Sequence, residues 1–223
     1  MFVRVCGITS EEDALVAVAM GADAVGFVFS PSSRQIAPQR AAEIARRLPA
    51  EIVTVGVFRN EPRERVIDVI HQARLRAAQL HGHESSADCH WVRQRVRWLI
   101  RGFAAGDPHL DQADEYGADA ILIDSSAPGS GEVFDWSLAE GAPSNRRIIL
   151  AGGLTPANVA DAIRVVRPWG VDVSTGVESA PGRKDASKIR AFVEAAKAAE
   201  PPEPPAQGDR AVRPFDWMVD ERP

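Results

Sequence analysis

The 223-residue chain holds only two cysteines, Cys6 and Cys89, carries no excess of positive charge and has no long uninterrupted apolar run. Each absence excludes a class of protein. Two cysteines without a CxxC-type spacing cannot build a disulfide framework or a thiolate metal cage. A net charge of -5, from 26 Lys plus Arg against 31 Asp plus Glu, gives no global field to draw nucleic acid or an anionic membrane, so any anion must be held locally. Charged residues and glycines interrupt every apolar stretch before the roughly 18 residues that suggest a membrane span. The start, Met1-Phe2-Val3-Arg4-Val5-Cys6, lacks the basic region, apolar core and small-residue cleavage site of a secretory signal. A cytoplasmic location is the expectation.

What is present is a hydrophobic content of 45%, enough for one substantial core. Short runs rich in Val, Ile and Leu alternate with helical stretches, the pattern of a parallel sheet built from βα units. Eight strands are predicted, over residues 3–6, 24–29, 52–58, 77–81, 98–103, 120–124, 148–151 and 171–174, each followed by one helix of about 10 to 12 residues. The fold class is therefore α/β, a single (β/α)8 barrel of the TIM type over residues 1–200. Gly21-Ala22-Asp23-Ala24 and Gly117-Ala118-Asp119-Ala120 stand between a helix and a strand in each half, a trace of half-barrel symmetry or a chance echo. Thr9 with Glu12 has capping-box spacing, and Thr155 before Pro156 places a cap ahead of a first-turn proline. The sixth helix, over residues 137–145 with Gly141 and Pro143, should be short or irregular, with Trp136 packing the base of its loop. Beyond Glu200 the run Pro201-Pro202-Glu203-Pro204-Pro205 reads as an extended or disordered linker, and residues 201–223 as a tail outside the barrel.

Barrels of this kind carry their chemistry at the carboxyl ends of the strands and commonly hold phosphate after strands seven and eight. Here those strands run into Gly152-Gly153 and into Ser174-Thr175-Gly176, where glycine lets backbone amides approach a phosphate. Two ordinary turns would look similar, but both falling after the last two strands favours phosphate. Cys6 closes strand one and Asp124 closes strand six. Alone, the first reads as a buried inert thiol and the second as a turn aspartate. Around a closed barrel they would flank the phosphate loops from opposite sides, giving one acid or base on each. If Cys6 points inward so does Arg4, two residues earlier, whose charge would favour the thiolate. Arg34 is either a solvated loop residue or a clamp for a carboxylate, and His81 either a barrel-mouth histidine or a substrate contact. Cys89 lies in a predicted helix without a chemical companion.

These residues occur in runs that resemble one family. Arg4-Val5-Cys6-Gly7-Ile8-Thr9, Gln79-Leu80-His81-Gly82, Gly129-Ser130-Gly131 with Phe134-Asp135-Trp136, Ala151-Gly152-Gly153-Leu154 and Asp172-Val173-Ser174-Thr175-Gly176-Val177-Glu178, in this order, are similar to phosphoribosylanthranilate isomerase of tryptophan biosynthesis. The resemblance implies an Amadori rearrangement of N-(5-phosphoribosyl)anthranilate to the 1-deoxyribulose 5-phosphate isomer, with no cofactor and no metal. It implies that Cys6 is the general base and Asp124 the general acid, that Arg34 meets the anthranilate carboxylate, and that His81 and Asp172 lie near the ribose. The partner implied is a small phosphosugar, with no nucleic acid and no membrane, and monomer and homodimer both stay open. Three residues depart from the family's usual pattern: Arg4 stands for Lys, Glu132 for a frequently basic residue and Thr175 for Ser.

Two other phosphosugar barrels fit less well. An indole-glycerol-phosphate synthase needs a catalytic lysine at an inner strand end, and a metal-dependent epimerase needs a His and Asp cluster; these strand ends carry neither. A silent phosphate-binding barrel would keep the glycine loops but has no use for Cys6 and Asp124 together.

Overall fold

A computed structural model describes residues 1–125, 136 and 146–199. Eight strands, β1 (Phe2–Val5), β2 (Ala24–Val28), β3 (Val53–Phe58), β4 (Ala77–Leu80), β5 (Trp98–Ala104), β6 (Ala120–Asp124), β7 (Arg147–Leu150) and β8 (Gly170–Val173), pair in sequence order. The parallel ladder of β1 with β8, Phe2 opposite Gly170 through Val5 opposite Val173, closes the barrel. Every predicted strand is found, each boundary within one residue. Cys6, His81, Ala151 and Ser174 stand one residue past the end of their ladders, which sets them at the rim of the mouth.

Side-chain alternation divides the core in two. Val3, Val5, Val25, Phe27, Ile121, Ile123, Val171 and Val173 face outward into the apolar layer beneath the helices. Their neighbours face inward. Phe2, Ala24, Val53, Ala77, Trp98, Ala120 and Ile149 fill the lower barrel. The same inward parity carries Arg4 and Cys6 up β1, Gln79 and His81 up β4, Leu122 and Asp124 up β6, and Asp172 and Ser174 up β8. The interior is thus apolar at its base and ionisable at its mouth.

Six α-helices are described: α1 (Glu11–Ala19), α2 (Pro38–Ala45), α3 (Arg63–Ala73), α4 (Ser86–Arg93), α5 (Val159–Val166) and α6 (Ala186–Ala198). Among the described residues no helix is long and apolar enough to cross a membrane. Cys89 lies in α4, fully buried. The expected helix after β5 is instead a 3-10 stretch, Leu110–Tyr116, in which only Leu110 and Ala113 are buried. With so little apolar surface to dock, a full helical face has nothing to hold it. The expected cap at Thr9 is also one residue out. Ser10 caps α1 by accepting from the Asp13 amide at 3.1 Å, while Thr9 donates to the Gly182 carbonyl at 2.6 Å. Nor does Thr155 open α5: Asn158 accepts from the Thr155 amide and donates to the Gly153 carbonyl, making a stitched turn, and α5 begins at Val159.

The internal echo has a structural counterpart. Asp23 accepts from the Val3 amide at 2.8 Å, and Asp119 accepts from the Leu99 amide at the same distance. Gly21 and Gly117 both adopt positive φ, at 94° and 61°. Each motif therefore ends a helical stretch and pins the foot of the preceding strand. The sixth-loop motifs and helix, apart from Trp136, and the segment from Glu200 onward lie outside the described residues. Trp136 packs against the outer core.

Candidate active site

At the mouth, residues from β1, β4, β6 and β8 surround a cavity of about 350 Å³ that includes Arg4, Cys6, His81, Asp124 and Asp172. Parity alone brings them there. Between β1 and β2 the backbones approach closely because Gly26 has no side chain; a Cβ at that position would lie 2.7 Å from Cys6 Sγ. Gly102 on β5 likewise leaves room for the His81 ring.

Beside this cavity lies a smaller one of about 50 Å³, lined by Gly152, Gly153, Ser174, Thr175 and Gly176 together with Asp124. That is room for one small group, since a water occupies about 30 Å³. Gly152 and Gly153 take φ of 81° and 64°, the left-handed region that other residues rarely adopt. A Cβ on Gly176 would overlap the Leu154 carbonyl, and one on Gly152 would collide with the Ser125 amide. The loops after β7 and β8 therefore fit against each other and against β6 only as glycines. All five residues expected to hold phosphate meet at this one place.

The charges at the mouth are set by burial first. Cys6 is pushed up to about 11, mainly by burial and then by Asp172, while Arg4 and Lys184 pull it down. The expectation that Arg4 favours the thiolate holds in sign, but burial outweighs it. Asp124 is raised to about 6, chiefly by burial, against the Ser125 amide that donates to its Oδ1 at 2.8 Å. His81 is lowered to about 4 by burial and by the cations Arg4 and Arg101, so it is neutral. Gln79 donates to its Nδ1 at 2.7 Å, which leaves the ring proton on Nε2, 3.6 Å from Asp124 Oδ2. Arg4, beneath the thiol, bonds through Nε to Asp172 Oδ1 at 2.7 Å.

Arg34 is more constrained than its sequence suggests. Its Nε and Nη2 form a two-pronged pair with Glu178 at 2.7 and 2.8 Å, and Nη2 also reaches Thr175 Oγ1 at 3.3 Å. Nη1 takes part in none of these bonds. Glu178 lies on β9 (Glu178–Ala180), which pairs with β10 (Arg183–Lys184) in a hairpin that the strand pattern did not foretell. Buried Lys184 donates from Nζ to Glu178 at 3.0 Å and to the Ser174 carbonyl at 3.1 Å. Sequence reasoning gave neither Glu178 nor Lys184 a role. Glu178 stood at the end of a quoted motif; Lys184 has no local signal, because a lysine two residues after Gly182 reads as a solvated turn.

Among the described residues no cluster of three or more His, Cys, Asp or Glu has a geometry that could hold a metal ion. What the mouth offers is one titratable group on each side of a cavity, a backbone cradle for an anion, and an oriented guanidinium.

Comparison with known proteins gives a consistent picture. Residues 3–195 match the model of a family described as N-(5'phosphoribosyl)anthranilate (PRA) isomerase. The chain is 47% identical over 200 residues to the N-(5'-phosphoribosyl)anthranilate isomerase of Pelobacter propionicus, covering 87% of this chain and 95% of that one. It resembles the crystal structure of phosphoribosyl anthranilate isomerase from Thermus thermophilus with a TM-score of 0.84 at 42% identity, over 89% and 99% of the two chains. A second similar structure, with TM-score 0.79 and 42% identity over 89% and 99%, is of a phosphoribosyl anthranilate isomerase in complex with reduced 1-(o-carboxyphenylamino)-1-deoxyribulose 5-phosphate. A third, with TM-score 0.79 and 41% identity over 89% and 99%, is of monomers generated from a dimeric isomerase of Thermotoga maritima.

Proposed function

The chain belongs to the N-(5'-phosphoribosyl)anthranilate isomerase family, and on that premise we propose that Cys6 and Asp124 divide the rearrangement as base and acid. The reaction is the isomerisation of N-(5'-phosphoribosyl)anthranilate in tryptophan biosynthesis. Asp124, with its carboxyl raised to about 6, delivers a proton to the ring oxygen as the furanose opens. The Schiff base that results acidifies the C2 proton, and the Cys6 thiolate removes it. One observation carries this reading: the two groups line a single cavity that adjoins the glycine-lined anion cradle.

The phosphate is held by the backbone around Gly152 and Gly153 and by Ser174, Thr175 and Gly176. Arg34 meets the anthranilate carboxylate through the side that carries Nη1, its plane fixed by Glu178. His81 and Asp172 face the ribose. The steps use only these side chains and need no cofactor. The partner is this phosphosugar, in the cytoplasm, bound by a monomer or a homodimer. Residues 1–200 form the catalytic unit, consistent with a family match that ends at residue 195. A chain ending at Glu200 is expected to turn over at the full rate.

The test is turnover of phosphoribosylanthranilate generated in place, together with exchange of its C2 proton in Cys6→Ser. Loss of exchange in the variant is expected. Exchange at the wild-type rate would return Cys6 to an inert thiol.

A further inference from the structure

Arg4 is fully buried on the wall of the catalytic cavity. Its Nε is taken by Asp172, but Nη1 and Nη2 are buried with no hydrogen-bond partner among the described residues. Other polar atoms that line the same cavity share this state: Ser30 Oγ, Gln79 Oε1 and His81 Nε2. Buried donors are normally satisfied, and a guanidinium with both terminal nitrogens unmet is a site prepared for oxygen atoms that arrive with a ligand.

We propose that Arg4 is a further catalytic residue, whose Nη donors hold the C2 oxygen of the open-chain substrate and stabilise the charge that gathers there. The proposal rests on the isomerase reading and assigns it one more contact. Arg4 stands two residues before Cys6 on the same face of β1, so its head group is the next inward side chain beneath the thiol. The carbon that gives its proton to Cys6 is C2, and the oxygen on that carbon is one bond away. Asp124, across the mouth, faces the ring oxygen.

The electron flow balances with these groups alone. The thiolate takes the C2 hydrogen as a proton, the C2–H pair becomes the C1=C2 bond, and the iminium pair returns to nitrogen, giving an enolamine. The C2 hydroxyl then loses its proton to the Asp124 carboxylate left by ring opening. Its oxygen forms the ketone as the C1=C2 pair takes a proton from the Cys6 thiol. Both groups end as they began. Negative charge develops on the C2 oxygen in the second step, and fixed donors at that oxygen act on the transition state more than on the substrate. The planar guanidinium offers several N–H groups in one plane, whereas a lysine ammonium offers a single point charge.

The test is a binding cycle on the full chain. Two probes are titrated against wild type, Arg4→Gln and Arg4→Lys: reduced 1-(o-carboxyphenylamino)-1-deoxyribulose 5-phosphate, and the same molecule without its C2 hydroxyl. Wild type is expected to prefer the hydroxylated probe by about tenfold or more, the range for a hydrogen bond to a charged donor. Arg4→Gln should lose most of that preference while binding the deoxy probe nearly as wild type does. Its kcat should fall about a hundredfold, with part regained in Arg4→Lys. If Arg4→Gln does not fold, Arg4→Lys decides through the same preference. Equal losses for the two probes, or an undiminished preference, would overturn the role of Arg4. Failure of wild type to turn over phosphoribosylanthranilate would overturn the isomerase reading instead.

Discussion

The two raised pKa values at the mouth, about 6 for Asp124 and about 11 for Cys6, impose a particular shape on the pH dependence of catalysis. On the proposed division of roles, the productive form has Asp124 protonated and Cys6 ionised, the reverse of the order in which they titrate. Between the two values the thiolate grows tenfold per pH unit while the carboxylic acid shrinks tenfold. The product stays at about one part in 10⁵, the ratio that five pH units dictate. Efficiency should therefore rise tenfold per unit up to pH about 6, run flat to about 11, then fall. The substrate phosphate has a second pKa near 6 by analogy with other monoesters, so a break there in wild type is ambiguous by itself. Asp124→Asn resolves it. Without an acid to lose, the variant's residual kcat/KM should keep rising tenfold per unit through pH 6 and beyond, following the thiolate alone. The measurement is turnover of phosphoribosylanthranilate generated in place, from pH 5 to 10. A break that stays near 6 in Asp124→Asn belongs to the substrate and would refute the argument.

The same carboxyl should appear in stability. Its folded pKa is raised from an ordinary 3.8 to about 6, so its favourable contribution is complete below about 4 and is lost as pH rises through 6. Two units correspond to about 3 kcal/mol, and Asp124→Asn should exceed wild type by up to that amount at pH 8 but not at pH 4; denaturant melts with parallel pH dependence would contradict this. Arg34→Lys removes the fork that Glu178 holds and should lower kcat/KM by about tenfold to a hundredfold, mostly through KM; full efficiency would free Arg34 from the carboxylate. Gly153→Val forces a β-branched residue into φ of 64°, and calorimetry should show affinity for the product analogue reduced by tenfold or more in the folded variant. Unchanged affinity would reject that loop as the phosphate site.

Much of this protein was legible in its sequence because the signals are local or periodic. Strand identity followed from apolar runs at a regular pitch, and inward parity followed from counting by two along a strand. Together these carry Arg4, Cys6, His81, Asp124 and Asp172 into one mouth once the barrel closes. The glycine pair after β7 and the single Gly176 after β8 declared themselves because left-handed backbone in the first and close approach in the second leave little other choice of residue. Three things were decided only by the tertiary structure. Burial set the thiol and carboxyl pKa values, and it reversed the balance expected from Arg4, since desolvation depends on what surrounds a group. The partnership of Arg34 with Glu178 joins residues 144 positions apart through a hairpin with no periodic signature. Lys184, which carries no local signal in the sequence, is a buried cation beneath the loop after β8 because the folding back of that hairpin encloses it. Periodicity determines which face a side chain shares, whereas long-range packing determines the dielectric and the charges it meets there.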